Sequence, residues 1–232
     1  MKKDSIGNRM KNNYENRYRI KLTRKMPVII RLDGKAFHTL TKYCNKPFDN
    51  ALQTIMENTA LTLCSKIQGA KCAYVQSDEI SLLLTDFEKL STDAWFDYNL
   101  QKLVSVSAGI ASAYFTVNYM CNENIAVFDS RAFNIPKEEV CNYFIWRQQD
   151  WIKNSIQMLS QTYYSTKQLH KKNTSNMHEM LHKKGVNWVD LNPVWKNGSF
   201  IYKIENKLHV DNTIVFTKNR EIIEQYNIPK EN

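Results

Sequence analysis

Two short acidic segments in this chain have the residue types and spacing to do chemistry. The β-branched run Met26-Pro-Val-Ile-Ile-Arg-Leu-Asp33 closes on Asp33-Gly34, and Ser77-Asp78-Glu79 separates two short apolar runs. Carboxylates on adjacent strands, about 4.8 Å apart, can share two divalent ions about 3.5–4 Å apart, the arrangement used for in-line phosphoryl transfer. Mg²⁺ suits such a pair because it takes few protein oxygens and lets substrate phosphates complete its octahedron. Asp is also an ordinary turn residue, so the pair alone leaves a structural role open. A second constellation is His178-Glu179-Met180-Leu181-His182. On a helix, His178 and His182 would share a face as a zinc pair, with Glu179 as general base. The third zinc position would fall at Trp188, which cannot ligate. Glu205 could serve only at longer range, where no helical pattern surrounds it.

The elements that must position these residues follow from periodicity. Residues 26–33 read as a strand meeting a tight loop. Residues 49–68 carry apolar positions at Leu52, Ile55, Met56, Leu63 and Ile67, which predicts a helix capped by Asp49 and ended by Gly69. Ala70–Gln76 and Ile80–Thr85 read as a hairpin around Ser77-Asp78-Glu79. Helical spacing returns over Asp97–Met120, and Ile125–Phe133 is again a strand. The order β-α-β-β-α-β is the ferredoxin-like, split βαβ arrangement, an α+β class. In that topology the first and third strands are antiparallel neighbours, so Asp33 and Asp78 share one sheet edge. A helix from Pro136 to about Tyr163, a shorter one near 176–184 and a hairpin (Phe200–Ile204, Lys207–Phe216) follow. Two regions are expected, residues 1–135 (a basic segment plus the ferredoxin-like core) and residues 136–232 (helical with a small hairpin), packed as one unit.

Composition narrows the partners. The 232 residues are 43% hydrophobic, 12% aromatic and 24% charged, with only 6 Gly and 5 Pro. These values exclude disordered, collagenous and membrane-spanning classes, and no window approaches 18 apolar residues. The net charge is +9, and residues 1–25 hold nine basic side chains against two acidic ones. That local excess suits a phosphate-bearing partner, nucleic acid first. Five cysteines without a C-x-x-C pair imply a reducing compartment, hence a cytoplasmic location with an organelle still open. No secretory signal is expected at the N-terminus, which lacks an apolar stretch after its lysines.

Six motifs in order carry a resemblance. Arg31-Leu-Asp33-Gly34-Lys-Ala-Phe37-His38, Lys46-Pro47-Phe48-Asp49 and Gln76-Ser77-Asp78-Glu79-Ile-Ser81 resemble successive signatures of the tRNA-histidine guanylyltransferase superfamily. Phe128-Asp129-Ser130-Arg131, Trp146-Arg147-Gln148-Gln149-Asp150 and Pro193-Val-Trp-Lys196-Asn-Gly198 continue it. The resemblance implies a palm that adds nucleotides to the 5′ end of a tRNA, opposite to ordinary polymerisation. It implies two Mg²⁺ ions held by Asp33, Asp78 and the Gly34 carbonyl, with Glu79 beside them in the catalytic group. ATP, GTP and other nucleoside triphosphates are the implied substrates. The loop Asp33, Gly34, Lys35, Ala36, Phe37, His38, with Ser77 and Asp78, would cradle a nucleotide, and Lys46 and Lys102 would lie near its triphosphate. Candidate RNA contacts are Arg131, Arg147, Lys153 and Lys171, and family members resemble tetramers.

Two departures bear on specificity. The guanylyltransferases proper follow Arg-Gln-x-Asp with Cys-His-Ile-Asn-Asn, whereas this chain has Trp151-Ile152-Lys153-Asn154-Ser155. Asn99 stands where those enzymes carry Arg. Both changes resemble the guanylyltransferase-like branch of 3′–5′ repair polymerases, which copy the opposite strand of a truncated tRNA. Strict addition of one G to tRNA-histidine is the alternative. A tRNA-binding module without activity and the zinc protease suggested by His178 and His182 are more remote ones.

Overall fold

A computed structural model describes residues 5–119 and 125–227. Among them, helix α1 (Ile6–Asn13) leads to strand β1 (Val28–Gly34), the one-turn helix α2 (Phe37–Leu40) and the long helix α3 (Asn50–Lys66). Strands β2 (Ala70–Gln76) and β3 (Glu79–Leu84) precede helix α4 (Leu100–Asn118) and strand β4 (Phe128–Asn134). Helix α5 (Lys137–Gln161) is followed by α6 (Thr166–Leu169), α7 (Thr174–His182) and α8 (Pro193–Asn197). Strands β5 (Ser199–Ile204) and β6 (Lys207–Asp211) and the short helix α9 (Glu221–Glu224) close the described chain.

The strands form one antiparallel sheet in the order β4-β1-β3-β2-β5-β6. Its first four strands, with α3 and α4, are the ferredoxin-like palm expected from the sequence. Asp49 caps α3 by accepting from the Leu52 N–H, and Gly69 follows it at φ 83. A Cβ on Gly69 would meet the Thr85 carbonyl oxygen at 2.8 Å, so the chain turns there only as glycine.

Both faces of the sheet are covered, which is why β1, β2 and β3 read as apolar runs and not as alternating strands. Val28, Ile30, Leu32, Ile80 and Leu82 pack with α3 and α4. Ile29, Tyr74 and Leu83 pack on the other side with Val140 and Phe144 of α5, and with Phe200 and Phe216. A third cluster joins Ile156 of α5 to Leu169 and Met177, with Ile152 and Trp188 against it.

Two sequence expectations are corrected, and the closing hairpin gains a partner. β5 pairs with the outer edge of β2, Val75 opposite Ser199 and Cys72 opposite Tyr202, so the last strands extend the palm sheet. The strand after the turn ends at Asp211, and Phe216 drops into the second cluster, its N–H bonded to the Gln148 side chain at 2.9 Å. Helix α4 begins at Leu100 and not at Asp97. Phe96, Asp97 and Tyr98 all have positive φ, and Asn99 caps the helix by accepting from the Lys102 N–H. Asp97 instead pairs with Lys21 and Arg24.

The N-terminal basic segment divides in the same way. Lys21, Arg24 and Lys25 are tied to Asp97, Asp86 and nearby carbonyls, whereas Arg9, Lys11, Arg17 and Arg19 are exposed. Lys2 and Lys3 lie outside the described residues, as does Cys121. Cys64, Cys72 and Cys141 are buried free thiols and Cys44 is half-buried. Burial pushes the Cys64 thiol up to about 12, where it behaves as a small hydrophobe. No helix among the described residues is long and apolar enough to cross a membrane.

Candidate nucleotidyl-transfer site

The strand register places the acidic residues. β1 and β3 run antiparallel with Asp33 directly opposite Glu79, and the Gly34 N–H donates to the Asp78 carbonyl at 3.0 Å. Asp33 and the Ser77–Asp78 turn therefore meet at one end of the sheet through backbone hydrogen bonds, as the sequence predicts. Burial raises the Asp78 carboxyl above its ordinary range, and the charges of Asp33 and Glu79 add to that rise. A pair of hard oxygen donors that repel one another is what a divalent cation relieves, so the side chains present fit Mg²⁺. Arg131 on β4 approaches Asp33 at 4.0 Å and Asp129 at 3.3 Å, and stays exposed.

The loop after Asp33 is anchored from beneath. Phe37 is buried, its ring 5.1 Å from Phe115 and 4.9 Å from Phe128. A Cβ at Gly34 would fall 2.4–2.7 Å from the Phe37 ring, so glycine permits the close approach. The Lys35 N–H donates to the Val127 carbonyl at 2.8 Å, and Ala36 turns the chain at φ 55 into α2.

Two clefts adjoin at Ser77, Asp78, Trp151 and Met158. One, about 270 Å³, is lined by Phe37, His38, Lys46 and an aromatic wall in which Phe48 stacks on Trp195 at 4.8 Å and 7°. It gathers much of the nucleotide cradle expected from the sequence. The other, about 400 Å³, lies between Asp33, Asp78 and the face of α5 bearing Asp150, Asn154, Gln157 and Gln161. Lys102 lines neither cleft. It stands in the first turn of α4 with its ammonium over Phe96, 5.4 Å from the ring centroid. Ser112, further along α4, accepts from the Phe128 N–H near the site, which leaves Lys102 about 15 Å away along the helix.

Two further expectations change. Glu79, expected in the catalytic group, is committed to an ion pair with two arginines. It is buried at 5% exposure and accepts from Arg147 at 2.7 and 2.8 Å, with Arg31 at 2.6 Å. Arg147, expected to touch RNA, is itself 4% exposed and also bonds Asp150 at 2.9 Å. Its guanidinium is committed to these two carboxylates within the fold. Lys153 and Lys171 are exposed, as an RNA contact requires.

The zinc arrangement does not assemble. His178 meets Trp188 edge-on with ring centroids 5.7 Å apart, and the Trp188 indole N–H donates to Ser155. Among the described residues no three His, Cys, Asp or Glu side chains gather to hold a metal.

The aromatic wall and the polar stripe of α5 were missed from sequence. The stripe was legible: positions 150, 154, 157 and 161 recur at helical spacing on one face.

The chain is similar to known proteins along much of its length. The family model described as "Thg1: tRNAHis guanylyltransferase" matches residues 7–136. A bacterial tRNA(His) guanylyltransferase (Thg1)-like protein in complex with ATP superposes with a TM-score of 0.92 at 47% identity, over 97% of this chain and 99% of that one. A bacterial Thg1-like protein in complex with GTP gives 0.85 at 46% identity, with the same coverage. The tRNA(His) guanylyltransferase of Debaryomyces hansenii is 28% identical over 204 residues, 76% of this chain and 73% of that protein. Protein R259 of Acanthamoeba polyphaga mimivirus is 25% identical over 228 residues, 86% of this chain and 77% of its own length. This chain belongs to the Thg1 tRNAHis guanylyltransferase family of nucleotidyltransferases.

Proposed function

We propose that this chain adds nucleotides to the 5′ end of tRNA in the 3′–5′ direction, selecting each by pairing with the opposite strand. The observation that carries the transfer chemistry is the meeting of Asp33 and Asp78 at the junction of two clefts. Asp33 and Asp78 would hold Mg²⁺, which lowers the pKa of an attacking hydroxyl and offsets charge in the transition state. His38 and Lys46 line the cleft that would take the nucleoside triphosphate, Lys46 acting as a point charge on its phosphates. A 5′-monophosphate has no good leaving group. Its oxygen first attacks the α-phosphorus of ATP, releasing pyrophosphate. The 3′-hydroxyl of the incoming nucleotide then attacks the activated 5′-phosphorus, and AMP leaves.

The choice of templated addition over strict G addition rests on Ile152. It replaces the histidine of the strict enzymes and packs in the apolar cluster of Ile156, Leu169 and Met177. No polar group from that position is offered for nucleotide identity.

The test offers a tRNA lacking its first 5′ nucleotide, with the opposing base varied through all four identities. The added nucleotide should follow that base. Addition of G alone, whatever it faces, supports the strict enzyme instead. Asp33→Ala and Asp78→Ala should each abolish addition with the melting temperature nearly kept, and full activity in both would refute the two-carboxylate site.

A further inference from the structure

The smaller cleft owes part of its wall to an element that cannot hold its own place. Phe48 comes from the segment before α3, Trp151 from α5 and Trp195 from α8. Phe48 stacks on Trp195 and meets Trp151 edge-on at 6.4 Å. α3 and α5 are anchored in the two main apolar clusters. α8 has five residues, of which Val194 alone is buried, and a helix that short does not persist by itself. Something outside α8 must set the position of Trp195.

α5 supplies the fixing point. Ser155 is fully buried, lines neither cleft, and donates its hydroxyl to the Trp195 carbonyl. The same oxygen accepts from the Trp188 indole N–H at 2.9 Å. A hydroxyl carries one proton and two lone pairs, so with the indole on a lone pair the proton is free for Trp195. Trp188 is steadied by the edge-on ring of His178, and Lys196 joins the two segments by donating to the Val189 carbonyl. The far end of α8 hangs on Gln148 and Tyr74, which both donate to the Asn197 carbonyl. Gln148 also bonds Ile214 and Phe216, and so serves the fold at large. Both partners of Ser155 instead lie on the one segment that carries the cleft wall.

We propose that Ser155 is a positioning residue for the nucleotide cleft. Its hydroxyl sets the place of Trp195, and through Trp195 the stacked wall with Phe48, without touching a substrate. A side chain that binds ligand is only as precise as the buried contacts that lock it, and here one hydroxyl is such a lock. The proposal rests on the reading of this cleft as the seat of the nucleoside triphosphate.

The experiment measures equilibrium dissociation constants for ATP with Mg²⁺ and for tRNA, with a thermal melt of each variant. Ser155→Ala deprives the Trp195 carbonyl of this donor. Its ATP constant should rise about two- to tenfold, the worth of one aromatic pair, with tRNA affinity kept. Ser155→Thr, which retains the hydroxyl, should restore ATP binding. Trp195→Ala should itself weaken ATP binding, and adding Ser155→Ala to it should have no further effect, because the ring being positioned is gone. A serine serving only the fold would give the same loss in both backgrounds. If Ser155→Ala does not fold, Ser155→Cys, of the same shape with a far weaker donor, carries the comparison. An unchanged ATP constant in the folded variant, an equal loss of tRNA affinity, or a loss that persists beside Trp195→Ala overturns the proposal. Wild-type ATP affinity in Trp195→Ala overturns it as well, and leaves the transferase reading standing. A wild type that binds no ATP overturns the reading of the cleft and this proposal with it.

Discussion

Replacing Arg147 with Met should destabilise the fold more than it disturbs RNA binding. The Arg147 and Glu79 side chains are 5% and 7% exposed, and two hydrogen bonds of 2.7 and 2.8 Å join them. Losing one partner of a buried ion pair costs about 3–5 kcal/mol, because the other charge stays buried. Here Arg31 remains on Glu79 at 2.6 Å, which puts the cost at the lower end of that range. About 3 kcal/mol in a chain of this size lowers Tm by about 6–12 °C. Thermal melts of Arg147→Met, Glu79→Gln and the double variant measure it. The double variant should be less destabilised than the two singles added together, by about 0.5–3 kcal/mol, since the pair acts as a unit. Counterion release in tRNA binding should be unchanged in Arg147→Met, because a buried guanidinium neutralises no phosphate. A Tm within about 2 °C of wild type, or strict additivity, would refute the buried-pair argument.

Three other outcomes follow from the same structure. Asp49→Ala should cost about 1 kcal/mol at pH 7 by removing the α3 cap. Backbone N–H groups of Leu52 and Asn45 hold the folded Asp49 carboxyl below its ordinary 3.8. The cap's contribution is thus complete above that value and lost as pH falls through the folded pKa, so acid unfolding curves of variant and wild type should converge. Gly34→Ala would push a methyl into a Phe37 ring braced by Phe115 and Phe128, costing about 1–3 kcal/mol and weakening ATP binding; unchanged melting and ATP titration would contradict it. Affinity for tRNA should fall steeply between about 50 and 200 mM salt. Alanine at Arg9, Lys11, Arg17 and Arg19 should flatten that slope, whereas a flat wild-type dependence would remove the N-terminal segment from the interface.

Local pattern made much of this molecule legible before its structure. Asp49 and Gly69 bracket α3 as cap and stop signals do, and the βαββαβ order alone brings Asp33 to the Ser77–Asp78 turn. What escaped was tertiary. Asn99 is a typical cap residue, yet Asp97 is as good a cap by type, and type alone does not choose between them. Only the pairing of Asp97 with Lys21 and Arg24 makes the break there intelligible. Arg147 sits in a motif and carries a charge, which suggests a ligand. Its burial depends on α5 lying over the sheet end, and no local signal reports that. The partner of β2 is written about 125 residues downstream, where a hairpin looks self-sufficient until its register with Cys72–Val75 is seen.

That long-range pairing has a consequence for the chain as it leaves the ribosome. By the time β4 is complete at Asn134, four strands can assemble, but the outer edge of β2 waits for Ser199–Ile204. At about 5–20 residues per second, the intervening 65 residues take about 3–13 s to emerge. During that interval β2 offers unpaired backbone, and Ile29, Tyr74 and Leu83 offer a bare apolar face until α5 covers it. The nascent chain is therefore most exposed to wrong partners between its 134th and 204th residues, and slowing translation there should lengthen its dependence on chaperones.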